Sequence, residues 1–320
     1  MKIGYMIMMA NHHANLSDAE MIREEMRVAE LAEDVGYDSI WCAEHHFEPY
    51  SMAVDNLQVL TWLGARTKNI QLGSAAIILP WWTQPVRIVE KIATLDAMTE
   101  GRFLIGFGRG LARCEFEAFG IPMDEARGRF DEAARMIVKA LETGFIEGEG
   151  PYFPQKRTEI KPRPPQSAKD RLYAVAMSPD SSKIVGELGA RLMCFVQFDM
   201  RAHKSNIDFY RNAFQSAHGN NAPAPLLPDF CYCHEDAGVA EERARKYLAV
   251  NYLSILQHYE FMADYHKEIK GYETYEKSAS FLNSLGLEKA VEDYISHQAW
   301  GTPQQVLDKL AARRDVLGDH

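Results

Sequence analysis

Asp38-Ser39-Ile40-Trp41-Cys42-Ala43 has the composition of a buried strand, and it runs directly into Glu44-His45-His46-Phe47. An apolar run normally exits into turn residues such as Gly, Asn or Pro. Here it exits into a carboxylate and two imidazoles, which are costly at the edge of a core unless paired or used. Histidine is also the side chain best suited to moving a proton near neutral pH. The fold follows from asking whether other strand ends carry similarly unusual residues.

Outward from this junction, strand and helix patterns alternate. Met1 to Met9 reads as a first strand, since it lacks a signal-peptide cleavage site. Ser17 and Glu20 form a capping box for a helix whose inward face holds Ile22, Met26 and Ala29 with Val28, Leu31 and Val35. After the second strand, Tyr37 to Ala43, a helix spans the Asn56–Arg66 region. The third strand is Ile70 to Leu79, stopped by Pro80, and Pro85 opens the next helix. The fourth strand is Arg102 to Phe107, and Phe130, Ala134, Ile137 and Leu141 mark a strong helix after it. The remaining strands read as Leu172 to Met177, Arg191 to Gln197 and Leu226 to Cys233, separated by helices, with a long helical stretch from about Val239 to His258.

Seven strands in alternation with helices indicate a parallel α/β protein, and a (β/α) barrel over a doubly wound sheet. No linker or internal repeat divides the 320 residues, so a single domain over 1–320 is expected, with a Pro- and Gly-rich surface excursion at about 148–169. The formal charge of −10 argues against a nucleic-acid or anionic-membrane binder. No apolar run approaches the roughly 20 residues of a membrane span. Five cysteines form no disulfide framework and fit a reducing, cytoplasmic setting. Cys231 and Cys233 read as small hydrophobes on one strand face rather than as metal ligands, and no metal is expected.

In a parallel barrel the carboxyl ends of the strands share one face. The second strand ends there in Glu44-His45-His46, the third carries the small residues Ser74-Ala75-Ala76, and the fourth ends in Gly108-Arg109-Gly110. The fifth runs into Met177-Ser178-Pro179-Asp180-Ser181-Ser182, which opens a helix. Free amides at a helix start with serine hydroxyls suit a phosphate, and Arg109 offers a fixed positive fork. The competing reading is a plain serine cap with Arg109 paired to a surface carboxylate. Gly106-Phe107-Gly108-Arg109-Gly110 is not a dinucleotide fingerprint, because the third glycine is missing and no clear helix follows.

At these residues the chain resembles the bacterial luciferase-like flavin-dependent monooxygenase family, in particular the alkanal monooxygenase type. The shared words are Trp41-Cys42-Ala43-Glu44-His45-His46-Phe47, Gly73-Ser74-Ala75-Ala76-Ile77-Ile78-Leu79-Pro80, and Gly101-Arg102-Phe103 leading to Gly108-Arg109-Gly110-Leu111. Lys161-Pro162-Arg163-Pro164-Pro165-Gln166 and Gly301-Thr302-Pro303 are further landmarks. The resemblance implies a TIM barrel binding FMN at the strand ends, with His45 as the active-site histidine and Glu44 orienting it. Ala75 and Ala76 match the place of a cis peptide against the flavin ring. Arg109, Ser178 and Ser181 match the phosphate site, and Gly108 and Met177 stand beside them in the cofactor-binding set.

It further implies a two-component monooxygenase: a separate reductase delivers reduced FMN, and dioxygen oxygenates a small organic substrate through a flavin peroxide. A homodimer is also implied, and the segment at about 261–296 resembles the family's mobile lid, the alternative being an ordinary surface insertion. The alternatives are a deazaflavin-dependent hydride-transfer oxidoreductase and a non-catalytic flavin-binding relative. Three departures stand out. Gly108 replaces the reactive cysteine of the light-emitting enzymes, Gln197 and Asn251 stand where those enzymes place tryptophans, and the expected eighth strand is missing after Gly301-Thr302-Pro303. The first two argue against efficient light emission.

Overall fold

The structure, a computed structural model, describes residues 1–13, 15–263, 269, 272, 280 and 284–319. It contains two compact units, one of Lys2–Val175 and one of Ala176–His320 with Met1.

The N-terminal unit is built on a parallel sheet. Strands β1 (Gly4–Ile7), β2 (Ser39–Cys42), β3 (Gln71–Ser74), β5 (Phe103–Gly108) and β8 (Leu172–Val175) lie side by side in that order. The short strand β4 (Ile77–Ile78) also pairs with β5. Helices α1 (Asp18–Leu31), α2 (Asn56–Arg66), α3 (Pro85–Met98), α4 (Arg113–Phe119) and α5 (Ala126–Thr143) fill the connections. The expected capping box is present, with Ser17 accepting from the Glu20 amide and the Glu20 carboxylate returning the contact at the Ser17 amide. Val28, Leu31 and Val35, assigned by periodicity to the inward face of α1, are exposed; Ala29 is the fully buried residue of that helix.

Register is set in part by Trp41. It pairs directly with Gly73 on β3, and a Cβ there would lie 2.2 Å from the indole Cε3. The indole N–H donates to Ser39 Oγ at 2.9 Å, and the ring meets Tyr173 edge-on with centroids 4.9 Å apart. A one-residue slip would drive a side chain into that ring, so the glycine fixes β2 against β3. The entry to β3 is held from outside. Glu33 accepts backbone N–H bonds from Lys68, Asn69 and Ile70, while the Arg102 guanidinium donates to the carbonyls of Gly64, Thr67 and Ile70.

The third strand is shorter than its apolar run. Hydropathy continues from Ile70 to Leu79, but the Ala75–Ala76 peptide is cis and divides the run into β3 and β4. A 3-10 turn at Leu79–Trp81 then stops the chain at Pro80. The excursion at 148–169 contains an ordered element. There β7 (Gln155–Glu159) pairs antiparallel with β6 (Phe145–Gly148), and β7 is mostly exposed. Helix α4 is a correction: the chain after Gly110 does form a helix, although it is short and Ala112 supplies no side-chain cap.

In the C-terminal unit, α6 (Pro179–Leu188) and α7 (Met200–His218) pack closely. A Cβ on Gly186 would lie 2.7 Å from the Tyr210 carbonyl oxygen. Strand β9 (Arg191–Met193) is bridged in parallel by Leu226, and the Cys194 and Val196 amides donate to Leu226 and Pro228 carbonyls. Of the run Leu226 to Cys233 only β10 (Tyr232–Cys233) is regular strand, and Cys231 and Cys233 are exposed rather than core-facing. Helix α8 (Ala237–His258) follows, then α9 (Leu287–His297), β11 (Trp300–Gly301) and α10 (Pro303–Leu317). Strand β11 pairs in parallel with β10, a pairing that periodicity does not announce, and among the described residues no strand follows it. Gln298, fully buried, joins these pieces by accepting from Phe230 N–H and donating to the Val196 carbonyl. Of the expected lid, residues 264–268, 270–271, 273–279 and 281–283 lie outside the described residues.

Candidate active site

Strand β2 delivers its polar exit into a tight environment. The His45 amide donates to the Ala53 carbonyl at 3.2 Å, and the ring meets Tyr50 edge-on at 4.9 Å. Nδ1 of His45 lies 3.1 Å from Oε1 of Glu115, a buried residue on α4. The same oxygen accepts the His46 backbone N–H at 2.8 Å. A carboxylate oxygen accepts, so this contact suits a hydrogen on Nδ1 and leaves Nε2 as the nitrogen turned away from Glu115.

Glu44 does not orient His45. Consecutive side chains on an extended segment point to opposite sides, and Glu44 turns to the other one. Its Oε1 accepts from the Trp81 indole at 2.7 Å, and its Oε2 accepts from the Ile78 amide at 3.2 Å. His46 Nε2 stands 3.6 Å from Oε1. Burial pushes the Glu44 carboxyl above the usual carboxylate range, while His46, Trp81 and Ile78 pull it back down. Glu44 therefore ties the chain just beyond the cis peptide to the end of β2. His46 sits among aromatic rings, edge-on to Phe119 at 4.8 Å and to Trp81 at 5.7 Å.

The residues after β3 and at the end of β5 are small. Ser74 Oγ accepts from the Gly106 amide at 2.8 Å and donates to the Gly106 carbonyl at 3.1 Å, so it is spent within the sheet. Ala75 and Ala76 are buried, and the Ala75 amide donates to the Cys42 carbonyl at 2.8 Å. Gly108 pairs with Ile78, and a Cβ there would lie 2.6 Å from Ile78 Cδ1 and 3.3 Å from Ala76 Cβ. A cysteine at this position would crowd the alanine floor. Arg109, half-buried, follows at the end of β5. Phe107 and Trp81 are buried, whereas Trp82 packs under the Lys91 ammonium, 5.0 Å from its ring centre.

In the C-terminal unit, Ser178 caps α6. Its Oγ accepts from the Ser181 amide at 3.4 Å and lies 3.0 Å from Ser181 Oγ. Ser182 Oγ is buried and has no hydrogen-bond partner among the described residues. Met177 is held through its carbonyl, which accepts from Asn206 at 3.2 Å. The predicted residues thus fall into two sets, His45, Glu44, Ala75, Ala76, Gly108 and Arg109 in one unit and Met177, Ser178 and Ser181 in the other. Glu115 was missed. In the sequence it is a single acidic residue in Arg113-Cys114-Glu115-Phe116-Glu117, which by itself is an ordinary surface pattern.

The luciferase-like monooxygenase family model matches residues 1–320, and the chain belongs to that family. It is an enzyme of this flavin-dependent monooxygenase class. Among curated relatives, the alkanal monooxygenase alpha chain of Photorhabdus luminescens is 24% identical over 306 residues, covering 94% of this chain and 84% of the relative. Among solved structures, monooxygenase RslO1 from Streptomyces bottropensis superposes with a TM-score of 0.78 at 24% identity, over 100% of this chain and 90% of that one. The oxygenating constituent of 3,6-diketocamphane monooxygenase from Pseudomonas putida, in complex with FMN, gives 0.75 at 17% identity, over 100% and 90%. An F420-dependent secondary alcohol dehydrogenase gives the same TM-score of 0.75 at 17% identity, over 100% and 91%. These likenesses agree with an α/β fold built on a curled, parallel half-barrel sheet. Among the described residues no helix is long and apolar enough to cross a membrane.

Proposed function

We propose that the chain is the oxygenating component of a two-component system that takes reduced FMN from a separate reductase and uses dioxygen to oxygenate a small organic substrate. The observation that carries this is the His45–Glu115 pair at the end of β2. Bound reduced flavin would supply the electrons that activate dioxygen. The residues suit such a group: Ala75 and Ala76 carry only methyl side chains that a planar ring could approach, and Arg109, Ser178 and Ser181 each have donor chemistry suited to a phosphate.

In this reading His45 holds or delivers a proton at Nε2, with Glu115 fixing the ring and favouring its charged form. Glu44 and Trp81 hold the alanine floor at its far end. Buried Phe107 and Trp81 help exclude water from the reacting groups. The working form is proposed as a homodimer.

The F420-dependent neighbour, equal in TM-score to the FMN-binding one, supports a second reading, hydride transfer with F420. Spectral titration with reduced FMN and with F420, followed by oxygen uptake over a panel of aldehydes, ketones, amines and aromatics, separates the two. His45→Ala should keep flavin affinity within about threefold and lower turnover by about 10²–10⁴-fold. Product formation at the native rate would remove His45 from the reaction.

A further inference from the structure

Helix α7 starts at an Asp199 cap, and its first two turns send two polar side chains back onto the strand ends of the same unit. His203 is 1% exposed. Its Nε2 lies 3.3 Å from the Gln197 amide nitrogen and 3.3 Å from that of Phe198. Its Nδ1 lies 3.2 Å from Cys194 Sγ, which in turn lies 3.7 Å from Met177 Sδ. Asn206, nearly one turn further on, is the donor to the Met177 carbonyl.

Two backbone donors converge on one ring nitrogen, so Nε2 must present its lone pair and Nδ1 must carry the proton. The ring is therefore neutral. Nδ1–H faces the Cys194 sulfur, and the thiol hydrogen is directed to Met177. A phenyl ring would fill the same space but would leave two buried N–H groups without an acceptor. The demand at this position is for an acceptor.

We propose that His203 is a positioning residue: a neutral imidazole that, with Asn206, fixes the backbone at Gln197–Phe198 and at Met177. Its functional consequence rests on the flavin reading above, with Met177 in the expected cofactor-binding set and Gln197 where the light-emitting enzymes place a tryptophan. Burial pushes the imidazole down to about 4, with His297 and Arg313 adding to the effect and Asp199 opposing it. Protonation would turn Nε2 into a third donor among donors. The segment 197–198 should thus hold from neutrality down to about pH 4 and release below it.

Histidine-selective ¹⁵N labelling of the whole chain, with His203→Gln to assign the signal, reads the ring directly. The expected result is an Nδ1–H tautomer with no titration between pH 5 and 8. An Nε2–H tautomer, or titration near the ordinary 6.5, overturns the proposal. His203→Phe should weaken reduced-flavin binding roughly tenfold and raise KM with kcat nearly unchanged, while His203→Gln, which keeps an acceptor, stays within about threefold of native. Equal affinities for native and both variants overturn the positioning role. If the native chain binds neither FMN nor F420, the flavin reading fails, and the ring measurement on native protein still decides the network.

Discussion

Replacing Glu115 by Gln isolates the charge that faces His45. One Glu115 oxygen accepts both His45 Nδ1–H at 3.1 Å and the His46 amide at 2.8 Å, and a Gln carbonyl can occupy the same place. Shape and both hydrogen bonds survive, and the negative charge is lost. A charge-assisted hydrogen bond contributes about 1.5–3 kcal/mol against about 1 for a neutral one, so the ground state loses about 1 kcal/mol per bond. The larger effect falls on the protonated ring. Opposite charges about 4 Å apart at an effective dielectric of about 20 attract by roughly 4 kcal/mol, which solvent and side-chain relaxation reduce. A net loss of about 1–3 kcal/mol where His45 is charged corresponds to roughly 5–150-fold in kcat. The assay is turnover at saturating reduced flavin, with flavin affinity measured separately. Glu115→Gln should lower kcat by that factor with affinity within about threefold. Unchanged kcat, or a loss confined to flavin binding, would refute the assignment of Glu115 as the group that stabilises charge on His45.

Two further substitutions test the scaffold. Gly73→Ala places a methyl 2.2–2.6 Å from three atoms of the Trp41 ring, whose indole N–H and edge are already held. Thermal unfolding should show a loss of roughly 1–3 kcal/mol, and an unchanged Tm would mean that the indole is free to move. Asp96→Asn leaves the Arg171 guanidinium, bonded to both Asp96 oxygens at 2.6 and 3.0 Å, without its buried counter-charge. The cost should be about 3–5 kcal/mol by denaturant unfolding, and less than 1 would show that this pair is screened.

Much of the scaffold was legible because its signals are local. The Ser17–Glu20 box, Pro85 at the start of α3 and Ser178 before α6 announce their helices within a few residues. Apolar runs exposed β2 and β5, and polar residues at the strand ends marked the region of His45, Arg109 and Ser178. The break between β3 and β4 left no trace in hydropathy, since Ala75 and Ala76 are as apolar as their neighbours. Trp300–Gly301 gave only a family landmark, because a two-residue strand exists through its partner at Tyr232–Cys233 and not through any period of its own.

By itself the sequence determined the class of protein and which imidazole stands at the strand exit. Tertiary structure decided what that imidazole does with its neighbours. Glu44 is adjacent in sequence yet turns away to Trp81 and Ile78, whereas Glu115, 70 residues further along, meets His45. Alternation along an extended chain separates consecutive side chains, and a short helix returning from β5 brings the distant carboxylate into reach. A hydrogen bond between residues so far apart in the chain is fixed by packing, which no local pattern of residues records.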